Sequence, residues 1–385
     1  MPPKPCWRAR VTETDLLVIG GGITGQSAAL FAAQAGARVT IVDAQRNAGS
    51  HANAGSLHVQ MQSRFLRLNP HLADNLESSL PLYLSAVTAW EALDTRLGGV
   101  ELTREGGLML AEDEAQLDFL RQKAERETRK GLDVEILDRD ELFSLAPWLG
   151  EAIAGAELCR NEGKLNPLVA NRKMRGALGS LGVEHVHDRI TRIEEGSPPT
   201  AEGEGATYSA GAILVAAAWG AEALAKPLGL TIGTPPEPLH MNITEAGDYR
   251  IRHLVQHAER PITLKQFRSG QVVIGGGWDA NLASAESRAP TIRRQSLLGN
   301  VALASRIAPG IAGLRVLRTW AGYNTPVDGK ATIGPVRNGS RVFLALPGDA
   351  GYTLGPITGQ AAAALSLGTD PPIDPAPYSP ARWRS

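Results

Sequence analysis

The chain has 385 residues, enough for one large domain or two intergrown ones with a substantial core. With 39 Lys and Arg against 40 Asp and Glu the net charge is −1, so nothing points to nucleic acid or an anionic membrane as a partner. Two cysteines, Cys6 and Cys159, supply neither a zinc nor an iron–sulfur ligand set nor a disulfide framework, and they read as unrelated thiols in a reducing cytoplasm.

Residues 1–12 carry Lys4, Arg8 and Arg10, but no apolar run of a cleaved signal peptide follows them. No window reaches the length of a membrane span, and a cytoplasmic location is expected. Leu16, Leu17, Val18 and Ile19 then form a short apolar run that suits a buried parallel strand. Gly20, Gly22 and Gly25 follow in GxGxxG spacing, then an Ala-rich helix to about Gln34, then Gly36, and a second strand from Val39 to Asp43. The first two glycines let the backbone turn sharply and approach a pyrophosphate, and the third lets the helix lie close on the strand. The helix's unpaired N–H groups face the phosphates, and Asp43 can accept hydrogen bonds from ribose hydroxyls. The strand before, the helix behind and the acid at the right distance favour a dinucleotide site over a Gly-rich turn of structure only. Ala29 and Ala33 extend the small-residue face from Gly25, a pattern closer to FAD proteins of the glutathione-reductase type than to NAD dehydrogenases.

The Gly/Ala/Asn/Ser-rich stretch 48–57 reads as a loop that permits close approach to a flat ligand. Residues 70–97 are helical, and 114–130 form a charged amphipathic helix whose Glu, Lys and Arg read as a solvated face. A helix over 167–181 ends at Gly182, a strand follows at 183–187, 195–206 is a hairpin or loop tip, and a buried strand runs over 212–218. Pro235, Pro236 and Pro238 mark the crossing into short strands over 239–244, 262–266 and 271–274, an antiparallel sheet apart from the nucleotide fold. Residues 290–308 are helical, 341–346 form a late strand, and a small-residue helix reaches Leu367. The Pro-rich tail after Asp370 should be extended. Nucleotide unit and insertion alternate, which points to two domains sharing several crossings.

Taken together, the Gly motif, A-N-A-G-S-L (52–57), G-A-I-L-V-A-A-A-W-G (211–220), R-T-W-A-G-Y-N-T-P-V-D-G-K-A-T-I-G (318–334) and P-G-D-A-G-Y-T-L-G-P (347–356) resemble one family over nearly the whole chain. It is that of the FAD-dependent amine and amino-acid oxidoreductases related to D-amino-acid oxidase, glycine oxidase and sarcosine oxidase. Within it, L-H-V-Q (57–60), I-T-L-K-Q (262–266), I-G-G-G-W (274–278) and Y-S-P-A-R-W (378–383) look like the β subunits of D-hydroxyproline dehydrogenase and opine oxidases.

The resemblance implies an α/β fold: a glutathione-reductase-type FAD domain with a parallel sheet, and a substrate domain with a mixed or antiparallel sheet. The boundaries that follow are 13–47, 160–230 and 326–370 for the FAD domain, 48–159 and 231–325 for the substrate domain, and 1–12 and 371–385 for extended tails. It further implies that Gly20, Gly22, Ile23, Thr24 and Gly25 hold the pyrophosphate and Asp43, Ala44 and Gln45 the ribose, with Ile190 by the adenine and Ala217 also in contact. Asn53, Ala54, Gly55, Ser56 and Leu57 would lie beside the isoalloxazine. Gly348, Asp349, Ala350, Gly351, Tyr352 and Thr353 would lead into a helix whose N-terminal amides face it, where reduced flavin carries negative charge.

Three positions depart from the family pattern. The Arg that clamps a substrate carboxylate is absent from Gly322-Tyr323-Asn324-Thr325, which leaves Lys265, His58, His240, Arg64 or a backbone nest as anchors. Ala321 stands where sarcosine-oxidase-like enzymes attach flavin to Cys, so FAD should be non-covalent. Val273 stands where the oxidases place an oxygen-activating Lys, which favours a dehydrogenase with a non-oxygen acceptor over a peroxide-forming oxidase. The expected reaction is oxidation of an amine or a secondary, D-configured amino acid to an imine, with His58, His240, Lys265, Tyr323, Asn324 and Tyr352 shaping the pocket and electron-accepting subunits as partners. No metal is expected. The competing readings are an oxidase, a non-catalytic FAD-binding subunit and an NAD-linked dehydrogenase.

Overall fold

The computed structural model describes residues 14–45, 49–284 and 289–384. Residues 1–12, Cys6 among them, and Ala48 at the start of the small-residue loop lie outside these. The chain forms two compact units, one from residues up to Ser50, Asn171–Pro235 and Thr325 onward, the other from His51–Ala170 and Pro236–Asn324. The crossing at 235/236 falls in the proline cluster.

In the first unit the eight-stranded sheet runs Thr332–Pro335, Val342–Leu346, Thr207–Val215, Thr14–Ile19, Val39–Asp43, Glu184–His187, parallel after the antiparallel edge strand Thr332–Pro335, with Thr200–Gly203 and Ile190–Glu194 added antiparallel off Thr207–Val215. Leu16, Leu17 and Val18 have no exposed surface, as a strand buried on both faces requires. The helices Ile23–Gln34 and Gly351–Leu367 pack together through glycine: a Cβ at Gly359 would lie 2.2 Å from the Thr24 carbonyl oxygen. Small residues at this contact let the two backbones meet, which a larger side chain would prevent.

The second unit is built on an eight-stranded mixed sheet: Val316–Asn324, Glu237–Ala246, Gln271–Gly275, Thr263–Gln266, Leu254–His257, Gly107–Ala111, Gly155–Cys159, Val134–Leu137. The strand Leu254–His257 pairs in parallel with Gly107–Ala111 and the rest are antiparallel. One face carries Leu108, Val255, Leu264, Val272 and Ile274 in a core with Ala304 and Ile307 of the helix Arg294–Ile307.

Four expectations are corrected. The helix Glu114–Arg129, capped by Asp113, is not polar on a solvated face alone: Lys123 and Glu127 are buried and bonded to each other, because they meet Glu157 from the sheet. The stretch 48–57 contains the short helix Gly49–Ala52 and the strand Ser56–Leu57. Residues 160–170 belong to the second unit, since Gly163–Lys164 pairs with Ser56–Leu57. The tail after Asp370 folds into the 3-10 turns Ala376–Tyr378 and Pro380–Trp383, with Tyr378 and Pro380 buried.

Candidate functional site

In the first unit the positions singled out from sequence gather at the carboxyl ends of the parallel strands. Gly20 follows Ile19, Ala44 and Gln45 follow Asp43, Ala217 follows Val215 by one residue, Gly348 follows Leu346 by one, and Ile190 lies just past His187. The Thr14–Ile19 strand lies between Val39–Asp43 and Thr207–Val215, so its two neighbours connect on opposite sides. Such a switch point opens the crevice in which doubly wound sheets take ligands.

The three motif glycines have different reasons to be there. At Gly20 (φ +111°) a Cβ would lie 2.4 Å from the Ala216 carbonyl oxygen, and at Gly25 it would lie 1.9 Å from that of Gly20. Both are demanded by packing of the protein on itself. Gly22 caps the helix Ile23–Gln34 with φ −72°, which any residue adopts, and its Cβ would meet only Ser50, at 3.1 Å from Oγ. Chain packing demands glycine least here, because this tight contact is with a side chain that can shift, whereas a pyrophosphate drawn against the helix amides favours glycine outright. The Gly22 cradle therefore fits an FAD pyrophosphate.

Asp43 accepts hydrogen bonds from the backbone N–H groups of Gly21 and Gln45, so its carboxylate is already oriented at the strand end. Sequence reading missed the supports of this region. Ser50 Oγ accepts from Ile23 N at 2.9 Å, Asn171 Nδ2 donates to the Ser50 carbonyl at 2.9 Å, and Tyr352 Oη donates to Asn171 Oδ1 at 3.2 Å. These residues are up to 181 positions apart, and no local pattern announces such a chain of contacts. Tyr352 is buried, burial pushes its pKa up, and its hydroxyl is held by Asn171. Gly351, Tyr352 and Thr353 form the first turn of the helix Gly351–Leu367, preceded by Gly348 (φ +79°), Asp349 and Ala350.

In the second unit Asn53 Oδ1 accepts from Gly55 N at 2.7 Å, an Asx turn that bends the chain between Ala54 and the strand Ser56–Leu57. Trp320 Nε1 donates to the Ala52 carbonyl at 2.8 Å, and a Cβ at Gly322 would lie 2.3 Å from that of Ala52. Ser56 Oγ receives the Lys265 amine at 2.6 Å. Burial, then the Lys164 charge, brings the Lys265 pKa down to about 7. Burial, then the Lys265 charge, brings that of His58 down to about 3, so its ring is neutral at pH 7. His58 keeps some exposed surface, and its buried Nδ1 has no hydrogen-bond partner among the described residues.

The turn after His58 is pinned by buried carboxylates. Glu162 accepts from Val59 N (2.8 Å), Gln60 N (3.2 Å), Gln60 Nε2 (2.9 Å) and Gln256 Nε2 (2.8 Å). Burial still pushes its pKa up to about 7. Glu127 accepts from Met61 N and binds Lys123, which also reaches Glu157 at 2.9 Å.

Strand register sorts the remaining candidates by face. Lys265 pairs with Val273, Val273 with Ile243, and Met241 with Trp320, so these side chains share one face. His240 pairs with Ala321 and lies on the other, where Asn242 joins it to Asn300 of the helix Arg294–Ile307. His240 has no exposed surface, burial lowers its pKa, and it lies on the covered face. Tyr323 shares that face and its Oη accepts from Ala283 N, whereas Asn324 is on the Lys265 face and donates to Glu237 at 2.8 Å. Arg64 is exposed, beside Gly277, with no hydrogen-bond or ion-pair partner among the described residues. Among those residues there is no cluster of metal ligands, and no helix is long and apolar enough to cross a membrane.

Comparison with known proteins agrees with this geometry. The family described as FAD dependent oxidoreductase (DAO) matches residues 15–365. A subunit of opine oxidase from Rhizobium meliloti is 25% identical, covering 81% of this chain and 82% of that protein. Glycine oxidase of Pseudomonas aeruginosa is 27% identical, covering 95% and 98%. Among solved structures, glycine oxidase from Geobacillus kaustophilus superposes with a TM-score of 0.80 at 22% identity, covering 95% of this chain and 98% of that one.

Proposed function

The chain belongs to the DAO family of FAD-dependent oxidoreductases, enzymes acting on amino acids or amines, and from that premise we propose that it oxidises a secondary or D-configured amino acid to an imine and passes the electrons to an acceptor other than oxygen. The observation that carries the site assignment is the glycine at position 22, which ligand approach explains better than chain packing does. The turn over residues 20–25 and Asp43 would hold FAD, which would supply the hydride acceptor for the substrate's α-carbon.

The chain's own residues bind and orient. Arg64 is the proposed carboxylate anchor in place of the arginine missing at 322–325: its guanidinium is free to make a bidentate pair and stands beside Gly277, past the end of the strand Gln271–Gly275. That is the sheet end where Asn324 closes its strand. Lys265 is less suited, because its amine is buried and already donates to Ser56. The neutral His58 ring can accept a hydrogen bond from an amine N–H, and the carboxylates under residues 59–61 hold it in place.

Val273 supports the non-oxygen acceptor, since no cation arises at that position to stabilise charge developing on O2. That the opine oxidase relative is one chain of a larger enzyme supports electron-accepting partner chains here. Sparse cysteine usage supports a cytoplasmic assembly. A peroxide-forming oxidase is the second reading, favoured by Lys265 standing directly across from Val273. An anaerobic screen for bleaching of bound flavin, with D- and L-proline, hydroxyprolines, opines, sarcosine and glycine, tests the substrate class. No bleaching by any of them would refute it, and rapid peroxide formation in air by the isolated chain would select the oxidase.

A further inference from the structure

After the helix Gly351–Leu367 the chain doubles back over the edge strand Thr332–Pro335, and one side chain makes most of the attachment. Arg382 Nε and Nη2 form a fork on the Asp328 carboxylate at 3.0 and 3.2 Å. The same Nη2 reaches the Ala331 carbonyl at 2.9 Å and Thr332 Oγ1 at 3.0 Å, and Nη1 ties the strap to itself through the carbonyls of Tyr378 and Ser379. Trp383, under the guanidinium at 4.7 Å, donates from Nε1 to Thr332 Oγ1 at 3.0 Å. A planar fork with several donors can hold a carboxylate and neighbouring carbonyls together, which an ammonium cannot.

The turn held in this way has a specific neighbour. A Cβ on Gly348 would lie 3.3 Å from the Lys330 carbonyl oxygen, so the 328–332 turn is packed against the loop that enters the helix Gly351–Leu367. Gly348 also needs its left-handed φ of +79°, so the loop has little freedom once the turn is fixed.

We propose that Arg382 is a positioning residue for FAD, setting the 347–351 loop by holding the 328–332 turn against it. The proposal rests on the reading that Gly348 to Thr353 face the flavin. Arg382 acts through its bonds to Asp328, Ala331 and Thr332.

The test uses the full chain with FAD. Arg382→Ala should weaken FAD binding about tenfold or more, shift the visible absorption and circular dichroism of the bound flavin, and speed hydrogen exchange of the apoprotein at both 328–332 and 347–351. Arg382→Lys, which keeps charge and stem, should give an intermediate loss and the same spectral shift, and it decides the matter if the alanine variant fails to fold. Wild-type FAD affinity and spectrum in a soluble Arg382 variant whose melting temperature falls would overturn the proposal, leaving a purely structural strap. Gly348→Ala separates the two layers. If it perturbs the flavin spectrum and the Arg382 variants do not, this proposal alone fails; if neither does, the reading of the 348–353 loop fails with it.

Discussion

Lys265 and Val273 face one another across the antiparallel ladder of the second unit, with the lysine buried and its amine on Ser56. A cation absent from one strand is thus present one strand over, but with a pKa brought down to about 7 by burial. Below about pH 7 this amine is charged in the folded chain and carries the full cost of burial. Between about pH 7 and its ordinary value of 10.5 the unfolded chain holds more protons, so this group makes stability rise with pH. Lys265→Met should therefore raise the melting temperature most at pH 6, with the advantage fading towards pH 10. A gap of that size corresponds to roughly several kcal/mol, less what is lost with the Ser56 contact. Parallel melting curves with pH for wild type and variant would contradict the assignment.

Glycine substitutions separate packing from ligand binding. Gly25→Ala drives a methyl into the Gly20 carbonyl at 1.9 Å and should leave little folded protein, whether or not FAD is supplied. Gly22→Ala meets only the Ser50 hydroxyl, at 3.1 Å, and should keep the apoprotein's melting temperature while reducing FAD affinity about tenfold or more. Equal destabilisation of the two apoproteins by calorimetry would remove the distinction.

The parallel-sheet half was legible because its signals are local: an apolar run, glycines at fixed offsets and an acid closing the next strand. Of the mixed sheet only the strands over 239–244, 262–266 and 271–274 were legible; Val316–Asn324, Leu254–His257, Gly107–Ala111, Gly155–Cys159 and Val134–Leu137 were not, and L-V-Q-H, for one, has no clear alternation and is fixed by pairing with Gly107–Ala111. Faces were harder still. His240 and Lys265 both look like polar residues in apolar strands, and only the register through Gln271–Gly275 puts them on opposite sides. Burial of Lys123, Glu127, Glu157 and Glu162 was invisible for the same reason. A charge in an amphipathic helix reads as solvated until the partner from a distant strand is known.

That carboxylate cluster gives a pH-dependent prediction of its own. Burial alone would lower the Lys123 pKa, but Glu127 and Glu157 on either side hold it above its ordinary value. Lys123→Met leaves two buried carboxylates without their cation and should cost about 3–5 kcal/mol in urea unfolding at pH 8. Without the lysine the folded-state pKa of Glu157, already raised by burial, rises further. The stability deficit should then shrink as pH falls and the acids take up protons. A deficit constant from pH 5 to pH 8 would argue against charge as its cause.

The two faces of the sheet make a prediction about substrate. His240 is enclosed with Asn242 and Asn300, whose amides bond each other at 2.9 Å, while Asn324 and Lys265 lie on the opposite face and Arg64 stands exposed beside Gly277. His240→Leu removes a partner from Asn242 and should destabilise the chain by about 1–3 kcal/mol. It should leave the KM of any substrate that bleaches the flavin within about twofold, because that face is covered by the helix Arg294–Ile307. Arg64→Gln should do the reverse: unchanged melting, with KM raised at least about tenfold for carboxylate-bearing substrates and far less for a simple amine of the same shape. Steady-state kinetics on both variants, with an amino acid and its decarboxylated analogue, decide it. A large KM effect from His240→Leu with wild-type melting would move the substrate to the other side of the sheet and take the proposed anchor with it.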